Sequence, residues 1–150
     1  MVERGRVRPE DAGDRDFSLR GAEHVQKYLE TDGEVGHIWN GVTCLVLWTT
    51  GRKTGERRAQ PLIYGSVGDD VVLMASYGGA SHHPSWYLNL VANPDVEVQV
   101  GADRYAGRAR TAAGDERARL WKTMAGIWPD LDDYQARTER TIPIVVVERV

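Results

Sequence analysis

Three apolar β-type stretches follow one another between residues 43 and 76, "TCLVLWTT", "QPLIYGSV" and "DVVLMAS". The first (43–50) shows no polar alternation and reads as a strand buried on both faces. The second and third (60–67 and 70–76) are joined by a short turn at Gly68-Asp69. Pro61 cannot donate to a ladder, so it is expected at a strand start or a bulge. Farther on, "VEVQV" (96–100) alternates and predicts a half-exposed strand. "GAD" then turns the chain into a strand over 104–111, and "IPIVVVE" (142–148) reads as the last. Strands that come mostly as neighbouring hairpins favour an antiparallel sheet curled into a barrel, with helices packed outside. A doubly wound fold would need regular strand–helix alternation, which is missing.

The helices fall around these strands. One begins after Ser18, a candidate N-cap, carries Ala22, Val25 and Leu29 on one face, and ends at "TDG" (31–33). A short helix over 84–94 has Pro84 in its first turn, Asn93 to leave it in the left-handed conformation, and Pro94 to stop it. Asp115 is expected to cap a third, in which Trp121, Met124, Ala125 and Trp128 share a face. Another runs over 131–139. The expected class is α+β, a mainly antiparallel barrel of roughly six strands with flanking helices. Residues 1–16 carry too little apolar surface to order themselves and predict a flexible arm before a single domain, 17–150.

Composition narrows the partners. The 150 residues are 41% hydrophobic and 27% charged with a net charge of -3, whereas a general nucleic-acid binder would be basic overall. Any positive site must therefore be local. The single Cys44 permits no intramolecular disulfide and fits a reducing compartment. No apolar run approaches the roughly 20 residues of a membrane span. The N-terminus has no apolar signal core, so the cytoplasm is the expected location.

One local positive site stands out. The stretch "TTGRKTGERRAQPLIY" (49–64) gathers Arg52, Lys53, Arg57 and Arg58 around a turn containing Gly51 and Gly55. Lys53-Thr54 resembles the end of a Walker A loop, but that motif needs glycine at 47 and 52, where Leu47 and Arg52 stand. No G-x-G-x-x-G is present either. Arg forks match phosphate or carboxylate oxygens, and Lys adds a mobile charge. Charge alone fits an anion site and a solvated hairpin tip equally. "MASYGGASHHPSWYLNL" (74–90) tilts the balance. It combines a polar glycine loop, a helix start at Pro84-Ser85 that favours an anion, and aromatic faces at Tyr77, Trp86 and Tyr87. Such a combination suits a flat heterocycle with a phosphate tail.

Other candidates point to little chemistry. His82 and His83 are adjacent and have no partners at ligand spacing, so no metal site is expected. Cys44 sits in an apolar strand and reads as packing. No Ser/His/Asp order or nucleophile elbow occurs. Asp130, Asp132 and Asp133 read as charges at a helix N-terminus. The chain offers a place to hold something and few groups that react, a pattern that points to a cofactor carrying the reaction.

Three blocks, "TTGRKTGERRAQPLIY", "ASYGGASHHPSWYLNLVANPDVEVQV" and "TERTIPIVVVE", resemble the deazaflavin-dependent nitroreductase family from roughly Gly36 to Glu148. These are split β-barrel proteins that use reduced coenzyme F-420. The resemblance implies that Arg52, Lys53, Thr54 and Arg58 hold the cofactor's phosphate and oligoglutamate tail. It implies that Ala59, Gln60, Pro61, Leu62 and Ile63 line the cofactor groove, and that Met74, Ala75, Ser76 and Tyr77 lie along the deazaflavin. Ser85, Trp86, Tyr87, Leu88 and Asn89 would close the site from the short helix. An actinobacterial-like source goes with the resemblance, and the excess of Arg over Lys hints at a GC-rich genome.

The chain departs from its relatives at two positions. Many carry Lys where Tyr77 stands, so one cation for the tail is missing. Nitroimidazole-reducing relatives carry Tyr where Leu131 stands, and leucine has no proton to give. Ser76, Tyr134 or water would then supply the proton. Trp39, Trp128 and Leu131 would form an apolar pocket suited to a quinone or an activated alkene. The expected activity is hydride transfer from reduced coenzyme F-420 to a quinone or enone, with nitro compounds as side substrates. A non-catalytic deazaflavin carrier and a flavin-mononucleotide-dependent split-barrel reductase remain alternatives. Peripheral membrane contact would follow if the acceptor is a lipid quinone, and no interface stripe settles the oligomeric state.

Overall fold

The structure, a computed structural model, describes residues 15–150. The expected arm lies outside the described residues except for Arg15 and Asp16. The elements run α1 (Gly21–Glu30), β1 (Ile38–Trp39), β2 (Val42–Thr50), β3 (Arg57–Val67), β4 (Asp70–Met74), α2 (Ser85–Ala92), β5 (Asp95–Val100), β6 (Asp103–Thr111), α3 (Gly114–Ile127), α4 (Asp130–Ala136) and β7 (Ile144–Arg149). All strand pairs are antiparallel, in the order β2-β3-β4-β7-β6-β5. A further pairing of β5 with β2, through Val46–Gln99, Leu47–Val98 and Trp48–Glu97, closes the barrel. The short β1 adds to the start of β2.

Strand alternation sorts the apolar residues into an inner and an outer set. Leu45 and Leu47 of β2, Val71 and Leu73 of β4, Val96 and Val98 of β5 and Val145 and Val147 of β7 pack together inside, joined by Trp86 and Leu90 of α2. The opposite faces of the same strands present Val42, Val72, Met74, Ile144 and Val146 to Leu120, Met124, Trp128 and Leu131 of the α3–α4 region. Val46 and Trp48 meet Tyr28, Val25 and Leu29 of α1. Helices thus cover the outer faces, which is why β2, β4 and β7 lack the polar alternation of a half-exposed strand. Each fully buried Leu or Val contributes about 1.5–3 kcal/mol. Gly65 lets α3 come close: a Cβ there would lie 2.8 Å from the Met124 sulfur and 3.1 Å from Ile127 Cδ1.

Five local expectations need correction. The N-cap of α1 is Arg20, not Ser18. β5 is paired on both sides, so even Gln99 is buried and turns its amide to the Gly101 carbonyl at 2.9 Å. Asn93 is extended (φ -139°) because the following Pro94 disfavours helical conformations at the residue before it. Ala113, not Asp115, occupies the N-cap of α3, and Asp115 lies in the first turn. Pro61 sits inside β3, opposite Val46 in an unbroken register, rather than at a strand start or a bulge. The reason for that position lies in the site.

Candidate functional site

β3 is paired differently along its length. Residues 57–63 pair only with β2, and pairing with β4 begins at Tyr64. The outer edge of 57–63 therefore has no strand partner among the described residues. Proline is tolerated there because a missing donor on an edge breaks no ladder bond. Gln60, Pro61, Leu62 and Ile63 border a cavity of about 530 Å³. An unpaired strand edge beside a cavity offers backbone donors and acceptors to a ligand.

The loop after β4 forms the second side. Ser76 is right-handed (φ -80°, ψ -38°), and Tyr77, Gly78 and Gly79 then take φ of 46°, 63° and 82°. A right-handed residue followed by a left-handed one turns successive N–H groups into one concavity that suits an anion or a carbonyl oxygen. Among the described residues, the Ser76 and Tyr77 amides donate to no acceptor, while Gly79 N donates to the Ser76 carbonyl at 2.9 Å. Holding Tyr77 left-handed costs about 1–2 kcal/mol. Gly79 is required by a close approach: a Cβ there would lie 2.7 Å from the Tyr134 carbonyl oxygen.

Aromatic rings make the third side. Trp39 and Trp128 stack with centroids 5.8 Å apart, and Phe17 lies 5.3 Å from Trp39. The Arg15 guanidinium sits 4.3 Å over the Trp128 ring and grips Asp130 with both terminal nitrogens, at 2.5 and 3.0 Å. The segment 15–20 is held down by reciprocal Asp16–Asn40 bonds (2.7 and 2.8 Å) and by Trp39 Nε1 donating to the Leu19 carbonyl at 2.8 Å. Trp128 Nε1 donates to the Tyr134 hydroxyl oxygen at 3.1 Å, which leaves the tyrosine's own proton free to be given elsewhere. Cys44 also borders the cavity, and burial pushes its thiol up to about 12, so it stays protonated and unreactive.

The cationic turn stands next to this cavity rather than on its wall. Gly51 N bonds the Glu56 carbonyl at 2.7 Å and Gly55 N bonds the Gly51 carbonyl at 2.8 Å, so the turn closes on itself. Buried Asn89 anchors it: its Oδ1 accepts from Arg52 N at 3.1 Å and Arg52 Nη1 at 2.9 Å, and its amide donates to Thr49 Oγ1 at 3.3 Å. Arg52 Nη1 also reaches the carbonyl of Ser85, a cavity residue, at 3.4 Å. The four cations are not equivalent. Arg57 turns to Glu97 on β5 at 2.7 Å, and Arg58 pairs with Glu56 at 3.3 Å. The Arg104 hydrogen bond, aided by Arg57, holds the Glu97 carboxyl below its ordinary value.

The cavity thus brings together Gln60, Pro61, Leu62, Ile63, Met74, Ser76, Tyr77, Ser85, Trp86, Trp39, Trp128 and Tyr134. Arg52, Lys53, Thr54, Arg58 and Ala59 lie outside it, on the turn and the adjoining start of β3. Ala75 is packed inside the barrel, and Asn89 faces the turn. Tyr87 meets Thr111 Oγ1 at 2.9 Å, and Leu88 does not border the cavity. Leu131 is fully buried against Met124 and Trp128 and is not a pocket wall, because its position in the first turn of α4 faces the outer core. Sequence reasoning passed over Phe17, Arg20, Gly21, His24 and Cys44 as cavity residues, whereas Gly78 and Pro84 belong to the glycine loop and helix start that it singled out. His24 is buried and donates through Nε2 to the Gly36 carbonyl at 2.8 Å, and no local pattern marks it. Among the described residues no cluster of His, Cys, Asp or Glu could hold a metal ion.

A family model described as F420H(2)-dependent quinone reductase matches residues 20–149. The F420H(2)-dependent quinone reductase of Mycobacterium tuberculosis is 40% identical over 130 residues, covering 84% of this chain and 87% of that protein. A solved structure described as an F420-H2 dependent reductase (FDR-A) is 39% identical, with a TM-score of 0.66 over 70% of this chain and 93% of its own. Another, described as a domain-swapped dimer, has the same identity and TM-score and is covered over 79% of its length.

Proposed function

The chain belongs to the F420H(2)-dependent quinone reductase family, and from that premise we propose how its own residues divide the work of an F-420-dependent oxidoreductase acting on a quinone. Coenzyme F-420, when bound, supplies the hydride that reduces the acceptor. The residues present fit such a group: among the described residues the outer edge of 57–63 has no strand partner and the Ser76 and Tyr77 amides have no acceptor, which suits the oxygens and nitrogens of a flat heterocycle. We assign Gln60, Pro61, Leu62, Ile63, Met74, Ser76 and Tyr77 to the ring, and Ser85 and Trp86 to closing the site from α2. Arg52 and Lys53, with Thr54 and Arg58, attract the anionic tail.

The observation that carries this reading is that one cavity is lined both by β3 residues 60–63, whose outer edge has no strand partner among the described residues, and by the stacked Trp39–Trp128 pair. A flat acceptor stacks on the tryptophans, and apolar walls exclude water. Tyr134, whose oxygen is already occupied by Trp128 Nε1, holds a proton for the reduced acceptor, with Ser76 as the second candidate donor. We place the protein in the cytoplasm, with peripheral membrane contact if the acceptor is a lipid quinone. No helix of the described residues is long and apolar enough to cross a membrane.

The test mixes purified protein with reduced coenzyme F-420 and menadione and follows recovery of the oxidised chromophore. Protein-dependent recovery is expected, and Tyr134→Phe should lower kcat more than it changes KM. Binding without turnover across several quinones and enones would overturn the assignment of this cavity to catalysis.

A further inference from the structure

Arg140 precedes β7 and borders no part of the cavity, yet its guanidinium collects the whole loop that does. Nη2 donates to the Ser76 carbonyl at 2.6 Å, Nη1 to the Ala75 carbonyl at 3.2 Å and Nε to the Ala80 carbonyl at 2.8 Å. Nη1 also donates to His83 Nδ1 at 3.1 Å, and the His83 ring packs 4.9 Å from Tyr87 of α2. The peptide unit is planar and trans, so its N–H points opposite to its C=O. Fixing the carbonyls of Ala75 and Ser76 on Arg140 therefore turns the amides of Ser76 and Tyr77 away from it. Among the described residues neither of these amides has an acceptor, and both residues border the cavity.

We infer that Arg140 is a positioning residue: it grips loop 75–83 from behind and so holds the Ser76 and Tyr77 amides toward a ligand oxygen in the cavity. The reading of that oxygen as one of the cofactor's rests on the proposed function. The bracing itself does not. No local pattern could substitute for Arg140, because three carbonyls and a ring nitrogen converge on one group and only a planar fork with five N–H donors can meet them together. Lysine, with three donors on one atom, would reach fewer of them.

Hydrogen exchange of the cofactor-free, full-length protein is the first readout. Arg140→Ala is expected to speed exchange of the Gly79 and Ala80 amides, the hydrogen-bonded N–H groups of the loop, at least about tenfold, while strands β2 and β7 stay protected. Added guanidinium ion should restore protection, and Arg140→Lys should fall between the two. The second readout is F-420 affinity by tryptophan quenching, with the same order of variants and the same rescue. Arg117→Ala is the control: its guanidinium bonds the nearby Ile142 carbonyl at 2.7 Å but no loop carbonyl, so it should lower stability without speeding loop exchange. Unchanged loop exchange in Arg140→Ala, or a global loss of protection that guanidinium does not reverse and Arg140→Lys shares, overturns the inference. Failure of the wild type to bind F-420, with loop exchange still dependent on Arg140, would instead count against the proposed cofactor and leave the bracing standing.

Discussion

Two loops flank α2, and they are held in opposite ways. Loop 51–56 closes on itself, through Gly51 to Glu56 and Gly55 to Gly51, and needs one outside anchor, Asn89. Loop 75–83 has two short bonds of its own and takes its shape from Arg140, some 57 to 65 residues away in sequence, and from its contact with α4. The first loop presents charge, which acts at a distance and tolerates motion. The second presents backbone amides, whose hydrogen bonds weaken steeply with angle. A site that uses both can keep a loose electrostatic grip and a strict geometric one.

The sharpest way to break this contrast is a glycine pair. Gly79→Val adds a side chain at φ 82° against the Tyr134 backbone, so about 2–4 kcal/mol of stability should be lost in urea unfolding. Gly55→Ala, at φ 74° with open space around it, should cost only about 1 kcal/mol. Equal losses would mean that the second loop is no more constrained than the first.

A smaller effect is expected at the single anchor. Asn89→Ala leaves the Arg52 amide without its acceptor and should cost about 1–3 kcal/mol. It should also weaken F-420 binding, although Asn89 does not border the cavity. Affinity equal to wild type would show that the turn needs no fixed position.

The smallest effects grade the cations. Arg52→Ala and Lys53→Ala should each weaken F-420 binding and flatten its dependence on salt. Arg57→Ala should leave both unchanged, because Arg57 is engaged with Glu97 on the other side of β2. Its exposed ion pair contributes at most about 1 kcal/mol to stability. Titrations of the three variants at low and high salt separate these outcomes.

The difference between the loops also accounts for how much of the site could be read in advance. The cationic turn is contiguous, so its glycines and charges were visible together. The aromatic wall was only half visible: Trp39 and Trp128 could be named, but Phe17 and Arg15 could not, because Arg15 reaches Asp130 across 115 residues. Leu131 was misplaced because its sequence position fixes a helix but not which neighbour that helix face meets. Pro61 was misplaced because propensity says that proline avoids paired strands, not which half of a strand goes unpaired.

Local order of apolar and polar residues was enough to determine that this chain makes hairpins, an antiparallel barrel and an exposed knot of positive charge, since each depends on neighbours along the chain. Only the tertiary structure decided that β5 closes on β2, that the outer edge of 57–63 in β3 has no strand partner among the described residues, and that Arg140 stands behind the glycine loop. Those features depend on strand register and on which distant groups barrel closure brings within hydrogen-bond reach. A single arginine in a sequence carries no mark of the carbonyls it will meet.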